Sequence, residues 1–334
     1  MSADMRSCVV GLAVLLGVVV LAVAIALVSG AYPLALSDAL GVLLDGPGAA
    51  GEAGTVVWSL RLPRIAAGLL VGMALSAAGA AYQGMFRNPL VSPDILGVSA
   101  GAGLGAALAI LAGLPLAAVQ AFAFGGGLLA VGCVYFAASR VRHHDPVLAL
   151  VLAGIAIGTL FAAGISLVKV LADPSVQLPS ITFWLMGGLN AVRPDDLAVA
   201  LPLFACGLAP VWLLRWRVNL LTLADDEAAT MGIDVVRLRR VLIVCATLTT
   251  AAAVSIAGIV GWIGLIVPHA ARLLVGPEFS RLLPATLLLG GAFLVAADTL
   301  ARSLATVELP LGILTAFVGA PAFLWLLARQ GRPE

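Results

Sequence analysis

Residues 61–105 read RLPRIAAGLLVGMALSAAGAAYQGMFRNPLVSPDILGVSAGAGLG. Two arginines flank a proline, and about twenty small or apolar residues follow without a charge, the length a helix needs to cross the hydrocarbon layer. A polar break comes next at Gln83, Arg87-Asn88-Pro89 and Pro93-Asp94, and a glycine-rich apolar run begins after it. Chemically this is a membrane crossing, a tight polar turn at the far side, and the start of a return crossing.

Composition extends that pattern to the whole chain. Of 334 residues, 62% are hydrophobic and 10% charged, and the mean hydropathy is +1.14. A soluble domain carries about a quarter charged residues, so this chain is solvated mainly by lipid. The expected fold class is an all-α polytopic membrane bundle. A net charge of +1 offers no electrostatic footprint for nucleic acid. The three histidines and four cysteines (Cys8, Cys133, Cys206, Cys245) show no pair at metal-ligand spacing, so no metal site is expected. The cysteines sit in apolar runs, where a thiol acts as a small hydrophobe.

Ten stretches satisfy the length of a crossing: roughly 8–29, 64–86, 95–113, 117–139, 147–171, 195–214, 240–257, 258–275, 284–301 and 311–328. The apolar core of the first, about 21 residues, exceeds the 7–15 of a secretory signal and is expected to remain as a span. The seventh and eighth contain Gly258, Gly261, Gly264 and Pro268, which also allow one span plus a re-entrant loop. Arg237, Arg239 and Arg240 precede this pair and Arg272 and Arg281 follow it, which favours an even number of crossings between them. With the N-terminus inside, 13 of the 18 basic residues are cytoplasmic; only Arg61, Arg64, Lys169, Arg193 and Arg302 face outward. Both termini are therefore expected in the cytoplasm.

No segment is long or polar enough for a separate soluble domain, so 1–334 reads as one transmembrane domain. In the outer segment 30–63, Ser37-Asp38 is expected to cap a short surface helix at Ala39–Leu44. Gly68/Gly72, Gly101/Gly105 and Gly154/Gly158 are spaced to put small residues on one helix face, as tight packing requires. The longest polar stretch inside is 215–240. Within it Asp225, Asp226 and Glu227 suit a helix N-terminus and Gly232 a helix stop, predicting a short helix outside the bilayer. Such a helix is either a solvated connector or a docking element for a cytoplasmic partner.

Seven ordered motifs resemble one family, the FecCD-type permeases of ABC importers for iron-siderophores, haem and cobalamin. They are RLPR at 61–64, the Gly79–Gln83–Arg87-Asn88-Pro89-Leu90–Pro93–Leu96-Gly97 series, and FWLMGGL at 183–189. The rest are LADDEAATMGI at 223–233, GWIGLIVPHAAR at 261–272, ADTLAR at 297–302, and ELPLGILTAFVGAPAFLWLL at 308–327. The resemblance implies that Arg61, Arg64 and Arg302 dock an extracytoplasmic substrate-binding protein through its carboxylates, which an arginine fork holds in paired hydrogen bonds. It implies a cytoplasmic gate at Asn88 and Leu90, opposed by Val147 in the Asp145-Pro146-Val147 connector. It further implies that Asp225, Asp226, Glu227, Ala228, Met231, Gly232 and Ile233 couple to a cytoplasmic ATPase dimer. Ala224 departs from the glycine common in the family, a mild change at a helix start.

The expected protein is thus a multi-pass permease of the cytoplasmic membrane, surrounded by lipid and paired with a second copy of itself. The chain lacks the G-x-x-x-x-G-K-[ST] phosphate loop, so it is not expected to be an enzyme or to bind a cofactor; ATP and magnesium belong to the ATPase partner. No catalytic residue is expected. The alternative is a secondary transporter driven by an ion gradient, which calls for acidic residues at mid-span. By sequence, every Asp and Glu falls at a span end or in a loop. Asp298 and Glu308 bracket Arg302 and are expected to pair locally at the outer rim. His269, beside Arg272, is expected to be structural.

Overall fold

The computed structural model describes residues 3–30, 32–140, 146–305 and 307–330; Asp145 of the expected gate lies outside them. The described residues fold into α1 Ala3–Val28, α2 Leu36–Asp45, α3 Gly51–Thr55, α4 Leu62–Met85, α5 Val98–Leu111, α6 Leu116–Arg140 and α7 Pro146–Leu171. They continue as α8 Gln177–Met186, α9 Pro194–Val218, α10 Asp225–Thr230, α11 Val235–Ala257, α12 Ile263–Val275, α13 Phe279–Ala301 and α14 Leu311–Gln330. A helix answers each of the ten expected spans. Among the described residues, seven helical segments are long and apolar enough to cross a membrane, while the apolar stretches Val98–Leu111, Ile263–Val275 and Leu311–Trp325 are shorter.

Helix α4 is the axis of the bundle. Most of α4, α11 and α13 is buried, whereas α1, α6, α7 and α9 turn most of their apolar surface outward. Small residues make the central position possible. A Cβ added to Gly72 would sit 2.2 Å from the Gly290 carbonyl oxygen of α13, and one on Gly79 would sit 1.8 Å from that of Gly264 in α12. The other spaced glycines also pack within the chain: Gly101 and Gly105 on α6, and Gly154 on the Ile95 carbonyl. Hydrogen bonds tie the same helices together. The Ser76 hydroxyl donates to the Thr286 carbonyl at 3.1 Å, and Tyr82 and Thr247 share a hydrogen bond of 3.3 Å.

Three local expectations change. The surface helix starts at Leu36, with Ala35 at its N-cap and no side-chain cap; Asp38 instead lies in the first turn, where it suits the helix dipole. The segment before Leu62 is not a loop. Helix α3 continues through a π-helical turn at Val56–Arg61 into α4, giving one run from Gly51 to Met85. Pro63 has no N–H and its ring crowds the carbonyl four residues back, and the widened π turn absorbs both defects.

The third change concerns the polar turn. Beyond Met85 the chain does not stay at the end of α4 but climbs back beside it. The Gln83 side-chain amide donates to the Val91 carbonyl at 3.4 Å. Pro93 then packs at the level of Leu75 and Gly264, since a Cβ on Gly264 would lie 2.5 Å from the proline ring and 2.9 Å from the Leu75 carbonyl oxygen. Leu75 is ten residues short of the end of α4, about 15 Å at helical rise. Helix α5 therefore begins at mid-depth, after Gly97 in the left-handed region at φ 74°. Helix α12 also begins there, after Trp262 at φ 72°. At 14 and 13 residues, these are half-length helices.

Gly79→Leu should cost at least about 1–3 kcal/mol by forcing α4 from α12. Thermal unfolding in detergent should show it, while Gly125→Ala, in open space, leaves the midpoint unchanged.

Candidate functional site

The two ends of α4 carry the expected site residues. At its start, the structure gathers Arg61, Arg64 and Arg302 around the end of α1. The last carbonyls of a helix have no intrahelical donor, and here guanidinium groups supply it. Arg61 donates to the carbonyls of Leu27 and Tyr32. Arg302 donates to Ser29 at 2.6 Å and also to Ala26. Cations at this position also complement the negative end of the α1 dipole. Gly30, at φ 134°, keeps the passage open, because a Cβ there would meet Arg302 Nη1 at 2.9 Å and Arg61 Nη2 at 3.3 Å.

Arg64 has different partners. Its guanidinium donates to both Asp298 oxygens at 2.9–3.0 Å and to Glu308 at 2.8 and 3.2 Å. Asp298 and Glu308 thus pair locally at this rim, but mainly with Arg64; the Arg302 contact with Asp298 is longer, at 3.9 Å. Arg61 is 5% exposed, and the Arg64 side chain 15% against 46% for Glu308. Three cations and two anions leave the cluster one positive charge. A cavity opens beside it, lined by Arg64, Glu308, Asn190, Gln120, Ser180 and Trp184 among others.

At the other end of α4, Arg87 is the pivot. It adopts φ 49°, a left-handed conformation that costs an L-residue roughly 1–2 kcal/mol. Its contacts explain the fit: Nε donates to the Leu221 carbonyl at 2.6 Å and Nη2 to Asp225 at 2.6 Å. Asp225 also accepts from Arg239 at 2.8 and 2.9 Å. Asp225 therefore fastens α10 to both the turn after α4 and the start of α11. These arginines, Arg239 first, hold its carboxyl below the usual carboxylate range.

Helix α10 has the expected ends. Glu227 accepts from the Ala224 N–H at 3.3 Å; alanine offers no side-chain acceptor in return. Gly232, at φ 79°, closes a Schellman pair, its N–H donating to Ala229 and that of Ile233 to Ala228. Ala228 is fully buried, whereas Met231 is 62% exposed beyond the helix. In the neighbouring turn, Asn88 Oδ1 accepts from the Leu90 N–H at 2.9 Å, an Asx turn, and the Leu90 side chain is exposed. Val147 packs on the hydrophobic cluster that contains Val91.

Sequence spacing missed three residues. Arg87 reads as part of its own turn, yet its partner Asp225 is 138 positions away. Trp262 gave no signal of its positive φ. Asp94 reads as a loop residue near the end of the span, and it does lie in a turn, Pro93–Leu96, but one packed at the level of Leu75 and not at the end of α4. His269 is buried within α12. Among the described residues no group of three His, Cys, Asp or Glu side chains could hold a metal.

Two outcomes follow. Arg302→Ala should cost about 1–3 kcal/mol for each α1 carbonyl left without a donor, and α1 should become the first segment cut by protease in detergent. Because the Asp225 pKa is depressed on folding, its link is fully present above the ordinary carboxylate value and is lost as pH falls below that value. Both pairs are partly exposed, so Asp225→Asn at pH 7 should speed amide exchange across 219–231 only about two- to fivefold.

Comparison with known proteins agrees with this architecture. The FecCD transport family matches residues 18–329. The cobalamin import system permease protein BtuC of Halobacterium salinarum is 45% identical over 308 residues, 91% of this chain and 82% of that protein. The molybdate import system permease protein MolB of Haemophilus influenzae is 39% identical, covering 84% of this chain and 83% of its own. A solved structure described as an inward-facing conformation of a metal-chelate type ABC transporter superposes with a TM-score of 0.87 at 35% identity, covering 95% of this chain and 98% of that one. By sequence across nearly its whole length and by fold, the chain belongs to the FecCD transport family.

Proposed function

We propose that this chain is the single-domain transmembrane permease of a binding-protein-dependent ABC importer. It moves a metal chelate, an iron-siderophore in the first place or else haem or cobalamin, into the cytoplasm by ATP-driven alternating access. The cobalamin-permease relative and the metal-chelate transporter support that cargo class. In this proposal α1, α4, α5, α6, α7, α9, α11, α12, α13 and α14 form the ten crossings, with both termini cytoplasmic. Two copies surround the passage, with a substrate-binding protein outside and an ATPase dimer inside.

One observation carries the mechanism: Asp225 bridges Arg87 and Arg239. A six-residue helix at the end of a bundle could be a passive connector. This one is fastened to the turn that holds Asn88 and Leu90, so a force on α10 reaches that turn without passing through flexible chain. Asp226, Glu227, Met231 and Ile233 would meet the ATPase, with Ala228 and Gly232 shaping the helix. Asn88, Leu90 and Val147 would close the inner mouth. Nucleotide-driven closure of the ATPase dimer would then move α10 and, through Asp225, the gate. Asp225→Ala in the reconstituted importer should leave ATPase binding intact and lower the transport per ATP hydrolysed several-fold. An unaltered ratio overturns the coupling role.

At the outer rim, docking would proceed by exchange. The guanidinium groups of Arg61, Arg64 and Arg302 already hold oxygen partners, so a binding-protein carboxylate must displace one. Glu308 is the most exposed of these partners, and its replacement on Arg64 keeps the charge balance. Arg61 and Arg302 would add positive potential from beneath. Glu308→Ala should therefore tighten binding-protein docking, and Arg64→Glu should abolish it while the ATPase stays bound. Docking that ignores both changes at low salt overturns this assignment. The measurement is co-elution of the permease with its binding protein at two ionic strengths.

A further inference from the structure

Asp94 is the one carboxylate that the return turn carries to mid-depth. It sits in the short 3-10 turn Pro93–Leu96, which packs at the level of Leu75, halfway along α4. Charge at such depth is costly and persists where it has a task. Part of that task is local: Asp94 accepts hydrogen bonds from the Ser99 hydroxyl and backbone in the first turn of α5. A structural cap, however, is normally covered. Asp94 is exposed, and it lines a cavity with Ser92, Val260, Gly261, Trp262 and Leu265. Among the described residues it has no ion-pair partner.

A second space adjoins this cavity. Gly261 and Trp262 also line a larger apolar hollow between α8 and α14, formed with Met186, Ile259, Gly312 and Phe317. Trp262 is held at φ 72° with its ring 6.2 Å from Phe323, so a strained residue stands between the two spaces. The hollow's α14 wall faces outward, with Phe317 78% exposed.

We propose that Asp94 is a specificity residue: it sets a negative charge on the wall of the translocation passage at mid-depth, favouring cationic or neutral, hydrogen-bond-donating chelates over anionic cargo. This rests on the importer assignment above, and it narrows the cargo class that assignment leaves open. The carboxylate accepts hydrogen bonds from a passing ligand, and the low dielectric around it extends its field along the cavity. An oxyanion would have to pass it at a Coulombic cost. A neutral or cationic chelate would not.

The test uses the full chain in complex with its ATPase, with Cys8, Cys133, Cys206 and Cys245 replaced by alanine and Gly261→Cys as the probe position. An added Cβ at Gly261 meets nothing within 4 Å. Modification rates are measured with a trimethylammonium-ethyl and a sulfonato-ethyl methanethiosulfonate, with Asp94 intact and after Asp94→Asn. Asparagine retains the capping acceptor, so the fold is kept and only the charge is lost. The cation-to-anion rate ratio should fall on the order of tenfold on removing the charge. An unchanged ratio overturns the proposal, as does failure of both reagents to react, because the cavity would then not be a wet passage. If the ratio falls but neither rate responds to ATP, the importer assignment fails while the charge assignment stands.

Discussion

Backbone contact between α4 and its neighbours is the constraint on which the molecule depends. At Gly72 and Gly79 the carbonyls of Gly290 and Gly264 occupy the space a side chain would need. In lipid there is little hydrophobic drive to bring helices together, so close dispersion contact and backbone approach do that work. Once α13 and α12 are seated this closely, the two ends of α4 are fixed relative to everything else. Arg64 meets Asp298 at one end, and Arg87 meets Asp225 at the other. A rigid axis joins two polar clusters.

Much of the bundle was legible because apolar run length is a strong signal. All ten expected spans coincide with helices, and the glycine pairs mark true packing faces. Depth was not legible. Asp94 follows two prolines in a polar stretch, and on linear spacing it belongs with Arg87 at the end of the span. The Gln83 bond to the Val91 carbonyl, and the approach of Pro93 to Gly264 where Gly264 also meets the Leu75 carbonyl, show that the chain climbs before α5 begins. The start of α12 leaves no polar run in the sequence, because backbone groups inside a bundle can find partners other than water. The helix before Leu62 was hidden for a related reason. Pro63 reads as a helix start, and a π turn is not written in residue types.

The candidate sites were legible as residues but not as partnerships. The arginines at 61, 64 and 302 stand in two motifs far apart in sequence, and the structure brings them together. Their hydrogen bonds to α1 carbonyls could not be foreseen, since any residue can offer a carbonyl. The same holds for Asp225: its place at a helix N-terminus was clear, its bond to Arg87 was not. Charge pairs between distant positions depend on the tertiary path, and a single sequence holds no record of that path.

The arginine cap on α1 also has a temporal meaning. Ser29 and Arg302, which share a hydrogen bond, lie 273 positions apart and are made at different times. At about 5–20 residues per second, the carbonyls of α1 wait tens of seconds for their donor. Through that interval the α1 carbonyls lack these donors, and the cap cannot close before Arg302 has been made. Helix α1 is thus held by an arginine 273 positions further along the chain, and its cap marks a chain made at least as far as Arg302.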